Sequence, residues 1–300
     1  MAAYASSDSA TGTGSAVVTK PTGLAAGDLM VAIVSDRGSN FESGEPSTPS
    51  GWTAIVSETS DAAVGIAVFA KVADAGDAAA ANFTFSHSNG SAPVAAAMYR
   101  ITGTFTSAVN VYRSVANIGT EPSADVFRFA NGITPDVAST LLIMGVTGYS
   151  SSNGFDDSNA TAYALEISNP TWTERHDFAF AGAPTAHRLS TATATRTEVT
   201  ATGYFQITYT AAGSETPNNA VGVLLGITDT ANGSHSATVI VATATINAPS
   251  ATGTAQASPS VITAAATINA PTATGGTNDA LWKNTDKPSA GTINNLDKPA

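Results

Sequence analysis

The chain has 300 residues, 43% hydrophobic and only 12% charged, with a net charge of -11 and no cysteine. Its 12 basic residues are scattered, which excludes a phosphate backbone as partner, because nucleic-acid binding needs clustered Lys and Arg to release counterions. The missing cysteines exclude disulfides, thiolate chemistry and Cys-based zinc sites, so packing and hydrogen bonds alone must hold the fold.

The length admits two compact domains of roughly 150 residues each, or one large sandwich with an appendage. The opening stretch MAAYASSDSATGTGSAVVTK has no basic n-region and no apolar h-region, so it does not read as a secretory signal. The longest apolar run, LLIMGV from Leu141 to Val146, is far short of the ~20 residues of a membrane span. The expectation is a protein made in the cytosol, without a membrane span, that leaves by lysis, by a non-signal route or as part of a particle.

Short runs rich in Val, Ile, Thr, Phe and Tyr recur between turn residues, which is the strand signature, and helical periodicity is nearly absent. The first set of predicted strands is Leu29–Ser35, Thr53–Glu58, Gly65–Val72, Asn82–His87 and Val94–Thr102. Phe83 and Phe85 alternate with polar neighbours, so one face of their strand is buried. The second set is Val126–Phe129, Ser139–Tyr149, Ala162–Ile167, Asp177–Phe180, Val199–Thr210 and Ala220–Thr228.

Four words recur in the same order in both sets: DLMVAIV and TLLIMGV, then a Pro closely followed by Trp52 or Trp172, then FTF and YFQITYT, then closing Ile-Thr pairs at Ile101 and Ile227. The order favours two related β-sandwich lobes, residues 1–105 and 106–230. The two halves of one larger, jelly-roll-like fold whose sheets exchange strands would give the same pattern.

The texture changes after residue 230. VIVATATINAPSATGTAQ from Val239 recurs as VITAAATINAPTATGG from Val261, a period of 22 that places Ile246 and Ile268 at matching points of residues 231–276. Two copies are too few for a solenoid. Extended Ala/Thr/Pro repeats of this kind lack the apolar area to fold alone. They stay flexible, or they pair with a partner's sheet edge as added strands. In residues 277–300, NTDKP at Asn284 is echoed by NLDKP at Asn295. Trp282 lies there with no local core, which marks it as an anchor for a partner or sister chain, together with Lys283, Asn284, Lys287 and Pro288.

Residue patterns that carry chemistry are weak. His87, His176, His187 and His235 have no metal-ligand spacing, although His176 and His187 could meet across a hairpin. No HExxH, P-loop, GxGxxG after a strand or GxSxG elbow occurs. The acid pairs Glu42 with Glu45 and Asp156 with Asp157 fall in turns, and Glu174 stands beside His176; solvated loop acids are the simpler reading than a hydrolase pair. Asp156, Asp157 and Asn159 offer hard oxygens to calcium but lack the spacing of a defined calcium loop. Trp52 and Trp172 read first as packing at the lobe ends and second as sugar platforms. No metal, cofactor or catalytic residue is expected.

KPTGLAAGDLMVAIVSDRG, TPSGWTAI, FAKVADAGD and FTFSHSNGSAPVAAAMYRITG together resemble β-sandwich proteins encoded among the structural genes of tailed bacteriophages. The terminal WKNTDKP is similar to short Trp-Asn-Lys-Pro tails of virion proteins, although its echo has Leu296 and no second Trp. The likeness spans most of residues 17–105 and 277–300 and lies in texture. It implies a non-enzymatic minor tail, fibre, spike or head-decorating component, located in the virion and attached through residues 236–300. Homo-oligomers are implied, a trimer where the arms intertwine into a shaft. The alternative is an adhesion module that meets a host-surface glycan near Trp52, Trp172, Asp156 or Asp157.

Overall fold

The computed structural model describes residues 1–37, 46–60, 64–87, 90, 92–107, 111–117, 120–123, 126–129, 132–135, 137–150, 160–180, 186–209 and 219–229. Met1–Thr238 forms one compact unit and Val239–Ala300 a second, which lies outside the described residues. Ile246, Ile268, Trp282, Lys283, Asn284, Lys287 and Pro288 therefore lie outside them too, as do Asp156 and Asp157.

The first unit is all-β. Its strands are β1 (Ala3–Thr13), β2 (Ser15–Thr19), β3 (Leu29–Asp36), β4 (Thr53–Ser60), β5 (Val64–Val72), β6 (Asn82–Ser86) and β7 (Pro93–Thr102), then β8 (Val111–Asn117), β9 (Thr120–Ser123), β10 (Val126–Phe129), β11 (Thr140–Ser150), β12 (Ala160–Leu165), β13 (Thr173–Phe180), β14 (Ala186–Arg196), β15 (Phe205–Tyr209) and β16 (Asn219–Ile227). One helical turn, α1 (Ala75–Ala79), is held by a reciprocal cap: Asp77 N donates to Asp74 Oδ1 and Asp74 N donates to Asp77 Oδ2, both at 2.9 Å.

Among the described residues the strands make four antiparallel sheets. Two are five-stranded, ordered β1-β7-β3-β5-β4 and β8-β16-β11-β14-β13. Val31, Ile33, Ile66 and Tyr99 of the first pack against Ile143, Leu189, Val223 and Leu225 of the second in a fully buried inner core. The outer face of the first carries Met30, Ala32, Phe69 and Met98, which pack with Val18 and Phe85 of the β2-β6 pair. The outer face of the second carries Leu142, Met144 and Leu224, covered by Phe129, Tyr163, Phe205 and Ile207 of the sheet β9-β10-β15-β12. Every residue of β3 is buried for this reason. A strand covered on both faces reads as a continuous apolar run, which is why DLMVAIV and TLLIMGV lack alternation.

The two five-stranded sheets repeat one strand order. Exchanging β1, β7, β3, β5, β4 with β8, β16, β11, β14, β13 reproduces the sheet, and the contacts between sheets repeat under the same exchange: β1 lies by β13 as β4 lies by β8, and β7 by β14 as β5 by β16. The registers agree: Leu29 opposes Ile101 and Val72, and Leu141 opposes Ile227 and Thr195. Where the central strands cross, Ile33 of β3 meets Gly145 of β11, whose missing Cβ would stand 2.9 Å from Ile33 Cδ1. Two bulky residues at that crossing would overlap, so the pseudo-twofold is broken there by one large and one minimal residue.

Several strands depart from expectation. β1, β8, β9 and β14 carry Ser, Thr, Ala and charged residues in place of an apolar run, and the hydrophobic pattern passed over them. The expected strand at Val199–Thr210 begins only at Phe205. Arg196, fully buried, donates to the Thr200 carbonyl, to Thr200 Oγ1 at 3.0 Å and to the Ala201 carbonyl at 3.2 Å, and so claims backbone that a ladder would need.

Candidate functional site

Three buried polar groupings come nearest to chemistry. Ser35 Oγ and Thr147 Oγ1 each lie 3.0 Å from His187 Nε2. The serine and the imidazole have the spacing of a nucleophile and its base. All three side chains lie in the sheet interior at no more than 1% exposure. Burial, and then the charge of Arg37, push the His187 pKa down to about 3, so the ring is neutral and serves as a hydrogen-bonding strut between sheets. Ser35 and Thr147 are pseudo-twofold mates, and the mate of His187 is Val64.

A second grouping joins buried His87 to Asp36, Nε2 to Oδ2 at 3.1 Å. The third binds the outer sheet to its neighbour. Asp177 Oδ1 accepts from Arg188 Nε at 2.8 Å and Ser190 Oγ at 2.7 Å, Asp177 Oδ2 accepts from Ala160 N at 2.8 Å, and Tyr209 OH donates to Ser190 Oγ at 3.1 Å. Glu174 is on this side, its pKa raised by desolvation and then by the charge of Asp177. These groups are spent on each other, which makes them fasteners between layers. Among the described residues no cluster of three His, Asp or Glu could hold a metal ion.

His176 and His187 do not meet: His176 is opposite Thr191, and His187 is opposite Phe180 farther along the same ladder. Glu174 and His176 also part company. A bulge between them lets His176 face Tyr99 of the other large sheet, with ring centroids 5.9 Å apart, while Glu174 lies by Tyr163.

Both sequence-singled tryptophans are half-buried packing residues. Trp52 meets Phe83 and Phe85 edge-on, at 6.0 and 5.5 Å, and closes the β2-β6 layer. Trp172 packs on the outer core near Tyr163, and its Nε1 donates to Asn169 Oδ1 at 2.9 Å.

The residues beside Trp172 open onto a cleft of about 690 Å³ at the β1 and β13 edges of the large sheets. Tyr4 and Leu141 form part of its wall, Thr193 and Thr195 another part, and Asn169, Thr173, Arg175 and Glu198 the rim. The volume falls in the range of small-molecule pockets. Arg175 is the bulged residue of β13. Its Nε donates to Thr193 Oγ1 at 2.7 Å and its guanidinium lies 3.7 Å over the Tyr4 ring, bridging the two sheets. Asn169 Oδ1 accepts from Leu165 N and Trp172 Nε1, both at 2.9 Å, which leaves its amide nitrogen as a donor. Sequence reading passed over Tyr4, Arg175 and Asn169, because only the pairing of edge strands distant in sequence brings them together.

No protein-family model, curated protein or solved structure matches this chain.

Proposed function

We propose that the chain is a structural component of a bacteriophage virion, of tail-fibre, minor-tail or head-decorating type, and not an enzyme. It displays a β body of two related halves stacked through one inner core and is attached through the arm of residues 236–300. The observation that carries this reading is the enclosure of both large sheets on both faces, with buried polar groups spent on joining layers. Such a body leaves strand-end loops and sheet edges as its working surfaces, which suits display. The sequence likeness and the repeat arm support it from a separate direction.

On this reading Ile246 and Ile268 pair with neighbouring edges, and Trp282 with Lys283, Asn284, Lys287 and Pro288 docks on another virion protein or a sister copy. Deleting residues 236–300 should abolish incorporation into particles while the first unit still folds; a truncated chain that appears in particles at the normal level would overturn the assignment.

A second reading, recognition of a host-surface glycan, is favoured by the polar cleft at Arg175. Trp52 and Trp172 are held by their own cores, so the cleft is the better-supported contact surface.

A further inference from the structure

The pseudo-twofold supplies an internal control for the cleft. β4 and β13 are equivalent, each preceded by a tryptophan and each bulged at the same point: the β4 bulge falls between Ala54 and Val56, the β13 bulge between Glu174 and His176. The bulged residue is Ile55 in one and Arg175 in the other. Ile55 is 6% exposed and belongs to the inner core. The strand beside each bulge follows the same rule. Thr53 opposes Ala70 and Thr173 opposes Thr193; Ala70 and Thr193 are both buried, but the threonine lies at the cleft wall and its hydroxyl accepts from Arg175 Nε at 2.7 Å. On the facing edge strand, Val111 opposes Ile227 as Tyr4 opposes Ile101. Three positions that read Ile, Ala and Val on one side of the molecule thus read Arg, Thr and Tyr on the other.

Apolar residues at these positions are compatible with the fold, as the β4 side demonstrates, so stability alone does not call for an arginine at 175. The side chain is instead set in place for contact. Its Nε is fixed by Thr193 and its plane by the Tyr4 ring, while its two terminal amino groups have no hydrogen-bond or carboxylate partner among the described residues. Arg100 and Arg188, by contrast, hold Asp28 and Asp177 at 2.7 and 2.8 Å. A guanidinium with a free terminal edge matches the two oxygens of a carboxylate. The rest of the rim offers hydroxyls and an amide: Thr173, Thr195 and Asn169. Glu198 also faces the cleft, with Arg196 Nε 3.9 Å away, and repels a ligand that is anionic throughout. The lining therefore suits a ligand with one carboxylate among several hydroxyls.

We propose that this cleft binds an acidic sugar residue of a surface polysaccharide, with the sugar carboxylate on Arg175 and the ring hydroxyls on Asn169, Thr173 and Thr195. The assignment rests on the glycan reading and is independent of attachment to a virion.

The test uses the full chain against immobilised oligosaccharides bearing uronic or sialic acid, each paired with its carboxyl-reduced neutral counterpart, plus a phosphate-bearing oligosaccharide. Binding is expected to at least one carboxylate form, weakened roughly ten- to a hundredfold by carboxyl reduction. Arg175→Ile, which copies the equivalent Ile55, should lose that binding with an unchanged or higher melting temperature, and Arg175→Lys should retain part of it. Equal binding of the acidic and reduced forms, preference for the phosphate-bearing form, or full binding by Arg175→Ile would overturn the carboxylate assignment while leaving a glycan role intact. No binding to any oligosaccharide would overturn both.

Discussion

His187 ties acid tolerance to a single ring. Folded, it remains neutral down to about pH 3, whereas in the unfolded chain an imidazole protonates near pH 6.5. Below that value the unfolded state binds more protons. The stabilisation from neutral His187 is therefore complete above pH ~6.5 and is lost as the pH falls toward 3, by up to about 1.4 kcal/mol per pH unit. Urea titrations at pH 7 and pH 5 should show His187→Gln losing about 2 kcal/mol less than the parent between the two; equal losses would rule out this linkage. His176, depressed by desolvation in the same direction, adds to the parent's acid sensitivity and is unchanged in the variant. At the residue scale, the spacing of the histidines carried no metal-ligand pattern and gave no sign that Ser35, Thr147 and His187 converge. Their proximity depends on two sheets stacking across a separation of more than a hundred residues.

At the scale of elements, the sequence was informative where a strand is covered on both faces and poor where burial is shared with hydrogen bonding. β3, β5, β7, β11 and β16 each carry a long apolar run and lie close to their expected limits. β14, with the sequence AHRLSTATATR, is just as interior but buries hydroxyls and charge, each with a partner: Thr191 accepts from Tyr99 OH at 2.5 Å, Thr193 from Arg175, and Arg196 donates to the segment that follows. Thr and Ala alternation at a low apolar level gives no periodic signal, although β-branched Thr is well suited to a strand. The Arg196 clasp makes its own prediction. Arg196→Met should cost about 2–4 kcal/mol in chemical denaturation, because buried charge-assisted bonds to Thr200 and Ala201 are lost together. Limited proteolysis should become faster within residues 197–204; unchanged stability with unchanged cleavage would refute the clasp.

For the whole molecule, the inner core decides how far its halves are independent. The sequence words fall on equivalent strands: DLMVAIV and TLLIMGV on the central β3 and β11, the tryptophans before β4 and β13, and the Ile-Thr pairs at the ends of β7 and β16. Periodicity could not reveal that the two large sheets face each other and share one core, since it reports that a face is buried and not what buries it. Residues 1–238 should thus melt in one cooperative calorimetric transition, because neither large sheet can open without exposing Val31, Ile33, Ile143 and Val223. A fragment of residues 1–107 has the same face uncovered and should form a homodimer, measurable by light scattering, in which a second copy replaces the missing sheet. A monomeric, cooperatively folding fragment would show that the halves stand alone.

The last strand of the described residues bears on how the first unit would resist force. β16 is not an edge strand: it is paired along its length with β11 on one side and β8 on the other, and it ends at Ile227 beside Leu141. Tension applied along the axis of that strand would load both ladders in shear. All of those hydrogen bonds would have to yield together, whereas a pull across the strand would open them one after another. An edge strand in the same place would peel. Pulled through β16, the first unit would therefore resist best along that strand's own axis.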